Sequence, residues 1–327
     1  MGYEGVMVFA QQIGGKVHPI SFELLGKGRE IADKLGTHLS SVLLGNRVKN
    51  GAEELVEYGA DRVFIYDHPS YENFDVLRYK EPLLKLINEE RPEILLIGAT
   101  YLGRSLAPRI AAALETGLTA DCTDLNIDEQ GGLIQIRPAW TGNILAHIKT
   151  RTRPQMATIR YKAMQKLDRD KSRSGEIIEK DVLATGDSII KILGQRAARQ
   201  ISISDAEIIV SAGRGLKKQE DFKIIKELAD ALGGAVGASR PIVEEGWIGK
   251  EHQVGFSGNI VKPKLYIACG ISGSPQHLAG MRDSGTIVVI NTDKSAPICK
   301  VADYCIVGDL YKVIPDLIKE IKATAKA

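Results

Sequence analysis

Several features that define other classes of protein are missing from this sequence. No apolar run approaches the ~20 residues that a membrane-spanning helix needs. The first residues, MGYEGVMVFA, lack the basic segment and long apolar run of a secretory signal. The 43 basic and 41 acidic residues give a net charge of +2, which does not favour a nucleic-acid surface or membrane attachment. We therefore expect a cytoplasmic protein without membrane insertion.

Cysteine is scarce, and its spacing fits no common metal or cluster site. The four cysteines are Cys122, Cys269, Cys299 and Cys305. None belongs to a Cys-x-x-Cys pair, the close spacing that zinc and iron–sulfur sites use. The sequence thus predicts four reduced thiols and no metal.

Alternating strands and helices dominate the first ~115 residues. The apolar runs GVMVFA, LSSVLLG, RVFIYD and EILLIGAT read as strands, and the segments between them have helical periodicity. Val76, Leu83, Leu84 and Ile87, for example, share one face of a helix. This alternation is typical of a parallel sheet covered by helices on both faces.

The pattern then changes before a second α/β region begins. DCTDLNID, LIQIRPAW, NILAHIKT and PQMATIR lack intervening helices and predict an antiparallel meander, and KLDRDKSRSGE predicts a charged surface loop. Residues 193–205 resemble a linker. We place an N-terminal nucleotide-binding-like domain, the scaffold of a heterodimer, at 1–203 and a second domain at 204–327.

The second domain also alternates strands with helices. AEIIVSAG, KLYIACG, TIVVIN and YCIVGD predict strands, and DFKIIKELADALGG predicts a helix. Pro315 interrupts the last apolar stripe, and an interior proline costs a helix about 3 kcal/mol. The final helix is therefore expected to start or kink near Pro315. The predicted fold class is α/β, with two domains that are each built on a mostly parallel, doubly wound sheet.

Chemistry-bearing residues of the second domain cluster where strands end, which is where open α/β sheets bind ligands. Gly213-Arg214-Gly215 follows a strand, GASRP carries Ser239 beside Arg240, and HQVGFSGNIVKP is glycine-rich. Glycine permits close backbone approach, and arginine forks onto phosphate. Each motif alone is equally consistent with an ordinary turn.

Two further segments add candidate ligand contacts. GISGSPQHLAGM is a small-residue loop that leads into a helix, an arrangement suited to a pyrophosphate, and it contains His277. Asn291 and Asp309 follow later strands. Asp309 fits a helix N-cap as well as an acceptor for a nucleotide. The fingerprint G-x-G-x-x-G follows none of the predicted strands.

In combination, these motifs resemble the alpha subunits of electron-transfer flavoproteins. The similar segments include SAGRGLK, VGASRPIVEEGW, QVGFSG, LYIACGISGSPQHLAGM, VVINTD and ADYCIVGDLYKVIP in the second half, and EILLIGAT, GLTADCTDL, RPAWTGN and RPQMATIR in the first. The resemblance covers nearly the whole chain. It implies one FAD in the C-terminal domain and an electron carrier rather than a stand-alone enzyme.

The resemblance also implies which residues hold the FAD. Arg240 would lie against the flavin ring, Ser257 would bond flavin N5, and His277 would bond the O2 edge. Ser272 to His277 would cradle the pyrophosphate, and Asn291, Asp309 and Leu310 would hold the adenosine end. The full expected set is Arg214, Ser239, Arg240, Gln253, Val254, Gly255, Phe256, Ser257, Gly270, Ser272, Gly273, Ser274, Pro275, Gln276, His277, Asn291, Asp309 and Leu310.

The implied partners follow from the same resemblance. The chain would form a heterodimer with a beta subunit that holds a second FAD or AMP. It would carry single electrons from NADH or acyl-CoA dehydrogenases, as in fatty acid beta-oxidation, to a quinone reductase or ferredoxin, in a prokaryotic cytoplasm. Phe256-Ser257-Gly258, where respiratory members read Gln-Thr-Gly, is more similar to the electron-bifurcating branch.

Two other readings of the loops remain open at this stage. One is an NAD-dependent dehydrogenase with a Rossmann half, although the missing glycine fingerprint speaks against it. The other is a nucleotide-binding protein without redox chemistry. Bound flavin, visible as a yellow colour, would distinguish an electron-transfer flavoprotein from both of these alternatives.

Overall fold

The structure, a computed structural model, describes residues 2–139, 144–182 and 203–324. The chain divides into two compact units, Met1–Leu193 and Gly194–Ala327. This division lies at the start of the predicted linker, ten residues before the expected boundary at 203. Most of the predicted linker lies outside the described residues, because residues 183–202 are not among them.

The strands of the first unit build two main sheets. In chain order they are β1 (Val6–Ala10), β2 (Gln12–Ile13), β3 (Lys16–Val17), β4 (Leu39–Gly45), β5 (Arg62–Asp67), β6 (Ile94–Gly98), β7 (Leu118–Cys122), β8 (Asp124–Ile127), β9 (Leu133–Ala139), β10 (Ile144–Ile148), β11 (Gln155–Ile159) and β12 (Glu176–Glu179). The larger sheet has the order β12-β5-β4-β1-β6-β11-β7, and its paired strands are parallel.

Helices cover both faces of this sheet. They are α1 (Pro19–Leu35), α2 (Lys49–Glu57), α3 (Val76–Glu90) and α4 (Tyr101–Ala113), with a 3-10 turn at Pro69–Tyr71. Strands β1, β4 and β6 are buried along their whole length, as expected for parallel strands covered on two sides. Two separate apolar clusters, one on each face, form the core. The predicted parallel architecture is confirmed.

The predicted meander is only partly correct. Strands β8, β9 and β10 do form a three-stranded antiparallel sheet. PQMATIR, however, forms β11, which lies in the parallel sheet between β6 and β7. The prediction was wrong there because the three-stranded antiparallel sheet, rather than a helix, connects β7 to β11, so that no helical pattern precedes β11.

A short edge strand was also missed beside the charged loop. Strand β12 pairs in parallel with β5, and Glu176 lies opposite Arg62. Before β12, the loop is held by Arg169, which forms ion pairs with Glu54 and Glu57. The charged residues that predicted a free surface loop therefore form ion pairs, and these hold the segment against the first unit.

The second unit is a single five-stranded parallel sheet. Its strands are β13 (Ile208–Ala212), β14 (Ala235–Ala238), β15 (Leu265–Cys269), β16 (Thr286–Asn291) and β17 (Tyr304–Val307). Its helices are α5 (Phe222–Leu232), α6 (Arg240–Glu244), α7 (Pro275–Leu278) and α8 (Leu310–Thr324), with 3-10 turns at Gln219–Asp221, Lys250–His252 and Pro297–Lys300. The order β14-β13-β15-β16-β17 reverses direction between β13 and β15, which is the switch point where such sheets bind ligands.

The last helix does not start near Pro315, which was one of the two expected outcomes. α8 runs unbroken from Leu310 to Thr324 with Pro315 inside it. The Asp309 carboxylate accepts the backbone N–H of Tyr311 at 3.0 Å, and this cap starts the helix before the proline. The apolar stripe of α8 packs against α5 and the sheet, with Ile314 fully buried. This burial offsets the cost of the proline.

The cysteine prediction was right for two residues and wrong for two. Cys122 and Cys269 are free and buried, and burial raises the pKa of each thiol to about 12. Cys299 and Cys305 form a disulfide, with their Cα atoms 5.6 Å apart. The chain turns back between the 3-10 turn at 297–300 and β17, so a separation of six residues, too loose for a metal pair, brings the two side chains together.

The described residues contain neither a membrane-spanning helix nor a group of metal ligands. No helix among them is long and apolar enough to cross a membrane. Within the same residues, no group of three or more His, Cys, Asp or Glu side chains could hold a metal ion.

A close backbone contact between β6 and α4 provides a test of this fold. A Cβ added at Gly103 would lie 1.8 Å from the carbonyl oxygen of Gly98. Since backbone atoms of a buried strand cannot easily move away from such an overlap, Gly103→Ala should lower the free energy of unfolding by about 3 kcal/mol. The exposed neighbour Arg104 supplies the control, because Arg104→Ala should change stability by less than about 1 kcal/mol. Urea unfolding followed by circular dichroism measures both; equal stabilities would contradict the packing.

Candidate functional site

A cavity of about 230 Å³ opens in the second unit at the carboxyl ends of the strands. It lies beside the switch point between β13 and β15. Its lining consists of Arg214, Ser239, Arg240, Pro241, Glu244, Gln253, Val254, Gly255, Ser257, Gly270, Ile271, Ser272, Gly273, Ser274, Gln276 and His277. The sequence motifs that looked separate along the chain therefore surround one space.

The floor of this cavity is built by two loops in direct backbone contact. The N–H of Gly213 donates to the Cys269 carbonyl at 2.9 Å, and that of Gly215 donates to the Gly270 carbonyl at 3.0 Å. A Cβ at Gly213 would lie 2.3 Å from the Gly270 oxygen, and one at Gly215 would lie 2.5 Å from the Gly270 Cα. Only glycine permits this approach.

A third loop, residues 253–259, forms one wall. Gly255 has φ 146°, and a Cβ at Gly280 would lie 2.4 Å from the Gly255 Cα. The Phe256 N–H donates to the Gln276 carbonyl at 2.7 Å. The loop is thereby fastened to α7, which fixes the position of the residues that follow.

Ser257 is the hydroxyl that this wall places at the cavity. The side-chain amide of Gln253 donates to its Oγ at 3.2 Å. Gln253 is buried, whereas Ser257 is exposed, so the bond joins a fixed amide to a hydroxyl that a ligand can reach. The Ser257 hydroxyl keeps its own proton to donate to a ligand.

Two guanidinium groups lie at the cavity, and one of them has an acidic partner there. The Nε of Arg240 is 2.7 Å from Oε1 of Glu244, one helical turn later. Both side chains are more than half exposed, so the attraction between them is weak. Arg214 lies on the loop after β13. Backbone amides, a hydroxyl and two guanidinium groups are donors suited to an anionic ligand.

His277 and Gln253 are the most enclosed polar residues of the cavity, each with 5% of its surface exposed. Nε2 of His277 lies 3.0 Å from the hydroxyl of Tyr266, and Nδ1 of the same ring makes no well-formed hydrogen bond within the described residues. Burial lowers the pKa of His277 to about 4, and the backbone of Val254 acts in the opposite direction. The ring is therefore neutral at pH 7.

Five of the residues expected from the sequence do not line the cavity. Phe256 is 59% exposed, and Pro275 begins α7. The Asn291 side chain donates to the carbonyl of Ile271 at 2.9 Å and thus supports a lining residue. Asp309 caps α8, and Leu310 is buried in an apolar cluster. Asn291 ends β16 and Asp309 follows β17, so both still lie at the same edge of the sheet.

Three lining residues were missed, although each had a signal in the sequence. Pro241 belongs to the GASRP motif, and Glu244 stands at i+4 from Arg240, where an ion pair is expected on a helix. Ile271 lies inside the GISGS motif. Tyr266, beneath His277, had no such signal, because it belongs to an apolar strand.

The first unit has a similar switch point between β1 and β6, and its polar side chains bond one another. The Thr100 hydroxyl donates to Gln11 Oε1 at 2.6 Å. The amide of Gln12 donates to the Tyr79 hydroxyl at 3.1 Å and to the Tyr71 carbonyl at 3.2 Å. These bonds occupy groups that could otherwise bind a ligand.

Comparison with known proteins identifies both units. The electron transfer flavoprotein domain matches residues 6–185. The electron transfer flavoprotein FAD-binding domain matches residues 202–282, a range that includes every residue lining the cavity.

Relatives match along the whole chain. The electron transfer flavoprotein subunit alpha of Thermoanaerobacterium thermosaccharolyticum is 51% identical, over 98% of each chain. The lactate dehydrogenase (NAD(+),ferredoxin) subunit LctC of Acetobacterium woodii is 43% identical, over 98% of this chain and 77% of its own. The acryloyl-CoA reductase electron transfer subunit beta of Anaerotignum propionicum is 40% identical, over 98% of this chain and 96% of its own.

These matches confirm the resemblance that the motifs indicated and exclude the reading as a Rossmann-type dehydrogenase. The chain belongs to the electron transfer flavoprotein alpha-subunit family, and its second unit is the FAD-binding domain of that family.

Proposed function

We propose that the cavity at the β13–β15 switch point holds the flavin part of FAD, and that this chain passes single electrons between a dehydrogenase and an acceptor as the partner of a beta subunit. The observation that carries the proposal is the convergence of four separate segments, at 214, 239–244, 253–257 and 270–277, on one cavity. All four belong to the matched FAD-binding domain.

The size of the cavity agrees with partial enclosure of such a ligand. At about 230 Å³ it is smaller than the ~300–1,000 Å³ of pockets that enclose a whole drug-sized ligand. A dinucleotide must therefore extend beyond it. The carboxyl ends of β16 and β17, with Asn291 and Asp309, continue the same edge of the sheet, where the adenosine end would lie.

Each side chain can be given a role within this arrangement. Arg214 and the amides of 270–274 would neutralise and bind the pyrophosphate. Ser257, oriented by Gln253, would donate to the ring at N5, and His277 would contact the O2 edge. Bound FAD supplies the redox chemistry; the protein's part is to favour extra negative charge on the ring with nearby donors and the Arg240 guanidinium.

The neutral state of His277 changes the expected strength of its contact. A hydrogen bond to a charged partner contributes roughly 1.5–3 kcal/mol, whereas one between neutral groups contributes about 0.5–1.5 kcal/mol. Since burial keeps the ring uncharged at pH 7 in this structure, we assign His277 the lower range.

The names of two relatives support the proposed partners. One is a subunit of a lactate dehydrogenase that uses NAD(+) and ferredoxin, and another is an electron transfer subunit of acryloyl-CoA reductase. We propose that this chain likewise serves NADH or acyl-CoA dehydrogenase-type partners and a ferredoxin or quinone reductase. Phe256-Ser257-Gly258 favours electron bifurcation, in which the beta subunit holds a second FAD.

Counting flavins tests this proposal. The chain, co-purified with its beta subunit, should contain at least one FAD per heterodimer, released by heat and measured by absorbance and chromatography. Two FADs per heterodimer would support bifurcation, while one FAD with one AMP would support a simple carrier. A heterodimer that is folded and free of flavin would refute the assignment of FAD to this chain.

The Arg240–Glu244 pair predicts opposite effects from two substitutions. Arg240→Ala removes a cation and leaves the Glu244 carboxylate unopposed at the cavity, so the potential for adding the first electron should fall. Glu244→Gln removes the anion and should raise it. Because both groups are exposed, each change should amount to about 0.2–1 kcal/mol, or roughly 10–40 mV. Spectroelectrochemical titration measures both variants.

An exposed ion pair away from the cavity supplies the control for that titration. Lys223 and Glu227 on α5 have the same i, i+4 spacing, and Lys223→Ala should leave the potential unchanged. Shifts of equal sign in Arg240→Ala and Glu244→Gln would contradict placement of the pair beside the flavin.

Burial of His277 also predicts a dependence of stability on pH. Its pKa is about 4 in the folded chain and about 6.5 when unfolded, so the unfolded state binds more protons between these values. Stability that is present above pH 6.5 is therefore lost as the pH falls toward 4, by about 3 kcal/mol in total. His277→Gln should reduce this loss, as measured by urea unfolding at pH 7 and pH 4.5. The exposed His147 gives the control variant His147→Gln; an identical pH dependence in wild type and His277→Gln would contradict the buried neutral ring.

A further inference from the structure

The loop that carries Arg214 is attached to the rest of the second unit on both sides of that residue. On one side, the N–H of Gly215 donates to the carbonyl of Gly270 at 3.0 Å. Further along, the N–H of Lys217 donates to the hydroxyl of Tyr311 at 2.8 Å. Arg214 itself is exposed, so its place at the cavity depends on the backbone that carries it.

Tyr311 lies in the first turn of α8, which is itself firmly held. The backbone N–H of Tyr311 donates to the Asp309 carboxylate at 3.0 Å. Leu310 and Ile314, on either side of it in the helix, are buried in the apolar cluster that also contains Leu216. The tyrosine ring is therefore carried by a capped and packed helix end. Its hydroxyl is a fixed partner for the loop.

The direction of each hydrogen bond at this hydroxyl follows from the chemistry of its partner. A backbone N–H can only donate, so the Tyr311 oxygen accepts from Lys217. A carboxylate accepts, so the Tyr311 hydroxyl gives its own proton to Oδ2 of Asp221. Asp221 immediately precedes α5, yet its side chain makes no capping bond to that helix. Its carboxylate instead ties the end of the loop to Tyr311.

The ring of Tyr311 makes a separate contact with the same loop. The Lys217 ammonium group lies 5.0 Å from the ring centroid, within the range of a cation–π interaction. A phenylalanine would keep this contact and the packing of the ring. What it would lose is the hydroxyl, which joins the Lys217 N–H to the Asp221 carboxylate.

We propose that Tyr311 is a positioning residue: its hydroxyl holds the 213–221 loop against the first turn of α8 and thereby keeps Arg214 in place at the cavity. Tyr311 is not among the residues that line the cavity, and both of its hydrogen bonds are made within the protein. It therefore acts through Arg214. The effect on FAD rests on the proposed function, in which Arg214 binds the pyrophosphate, whereas the attachment of the loop does not.

The consequence for the site is that Arg214 is preorganised. An exposed arginine on a loop that is held at one point only must be ordered when a ligand binds, and this ordering weakens the observed affinity. With the loop held on both sides, much of that ordering is present before the ligand arrives. A guanidinium group in a fixed position then meets a phosphate with less loss of freedom.

Hydrogen–deuterium exchange of the full chain tests the attachment without a ligand. In Tyr311→Phe, the amides of 217–221 should exchange at least about threefold faster, because the loop loses its acceptor and its link to α8. The amides of 314–320, within α8, should keep their wild-type exchange, since the ring remains packed. Unchanged exchange at 217–221 would overturn the proposal. Equal acceleration at 314–320 would overturn it as well, because it would show a loss of helix packing.

Tyr304→Phe is the matched control for this measurement. Tyr304 is on β17 of the same sheet and is 65% exposed, so the variant removes a tyrosine hydroxyl away from the loop. Its exchange should equal that of wild type at 217–221. Faster exchange there in Tyr304→Phe would contradict a specific role for the Tyr311 hydroxyl.

The flavin-depleted heterodimer tests the effect on the cofactor. FAD is titrated in, and its occupancy is read from the protection of the 270–277 amides, so that FAD bound by the beta subunit does not enter the measurement. Tyr311→Phe should raise the dissociation constant about threefold to tenfold, while Tyr304→Phe should leave it unchanged. Equal constants in wild type and Tyr311→Phe would overturn the coupling of Tyr311 to the site.

A double-variant cycle shows whether the hydroxyl acts through Arg214. Groups that act as one unit give non-additive effects, so Tyr311→Phe should weaken FAD binding by less than about twofold once Arg214→Ala is present. Full and independent losses from the two changes would contradict action through Arg214. A heterodimer that takes up no FAD would instead refute the proposed function, and exchange at 217–221 would then decide the attachment of the loop by itself.

Discussion

The site depends on the contact between the backbones that follow β13 and β15. Gly213 and Gly215 lie so close to Gly270 that a single added Cβ would overlap main-chain atoms. Two hydrogen bonds close the contact. Because the sheet order reverses here, no helix covers the gap between β13 and β15. The glycines then determine how closely the two loops at the bottom of the cavity approach each other. The positions of Arg214 above and of the 270–274 loop beside it follow from this one constraint.

The third loop is held to the same framework, which explains how a small cavity can have a defined shape. Gly255 packs on Gly280, and Phe256 bonds the Gln276 carbonyl. Ser257 and His277 are thus carried on segments that support one another. Beneath them, the buried Tyr266 hydroxyl is bonded to the His277 ring. Polar groups at the cavity are therefore oriented by hydrogen bonds within the protein, as preorganised electrostatic sites require.

Much of this arrangement could be predicted from the sequence, for physical reasons that also explain the failures. Apolar strands followed by glycine, arginine and serine marked the edge where the loops meet, and Arg214, Ser239 and Ser257 all line the cavity. Strand β11 was misassigned because an antiparallel sheet, and not a helix, connects it to the preceding parallel strand. The disulfide between Cys299 and Cys305 depends on a turn of the chain that spacing does not reveal. The contact of Tyr266 with His277 could not be predicted, because a tyrosine in an apolar strand has the same sequence pattern as an ordinary core residue.

The most direct test of the account is hydrogen–deuterium exchange of the full chain with its beta subunit, with FAD bound and after its removal. Bound FAD should slow exchange at the backbone amides of 213–216, 253–258 and 270–277, because these three loops would contact it. The amides around Gln11, Gln12 and Thr100 in the first unit should exchange equally in both states. Protection in the first unit, with unchanged exchange in the three loops, would contradict the assignment of the cofactor to this cavity.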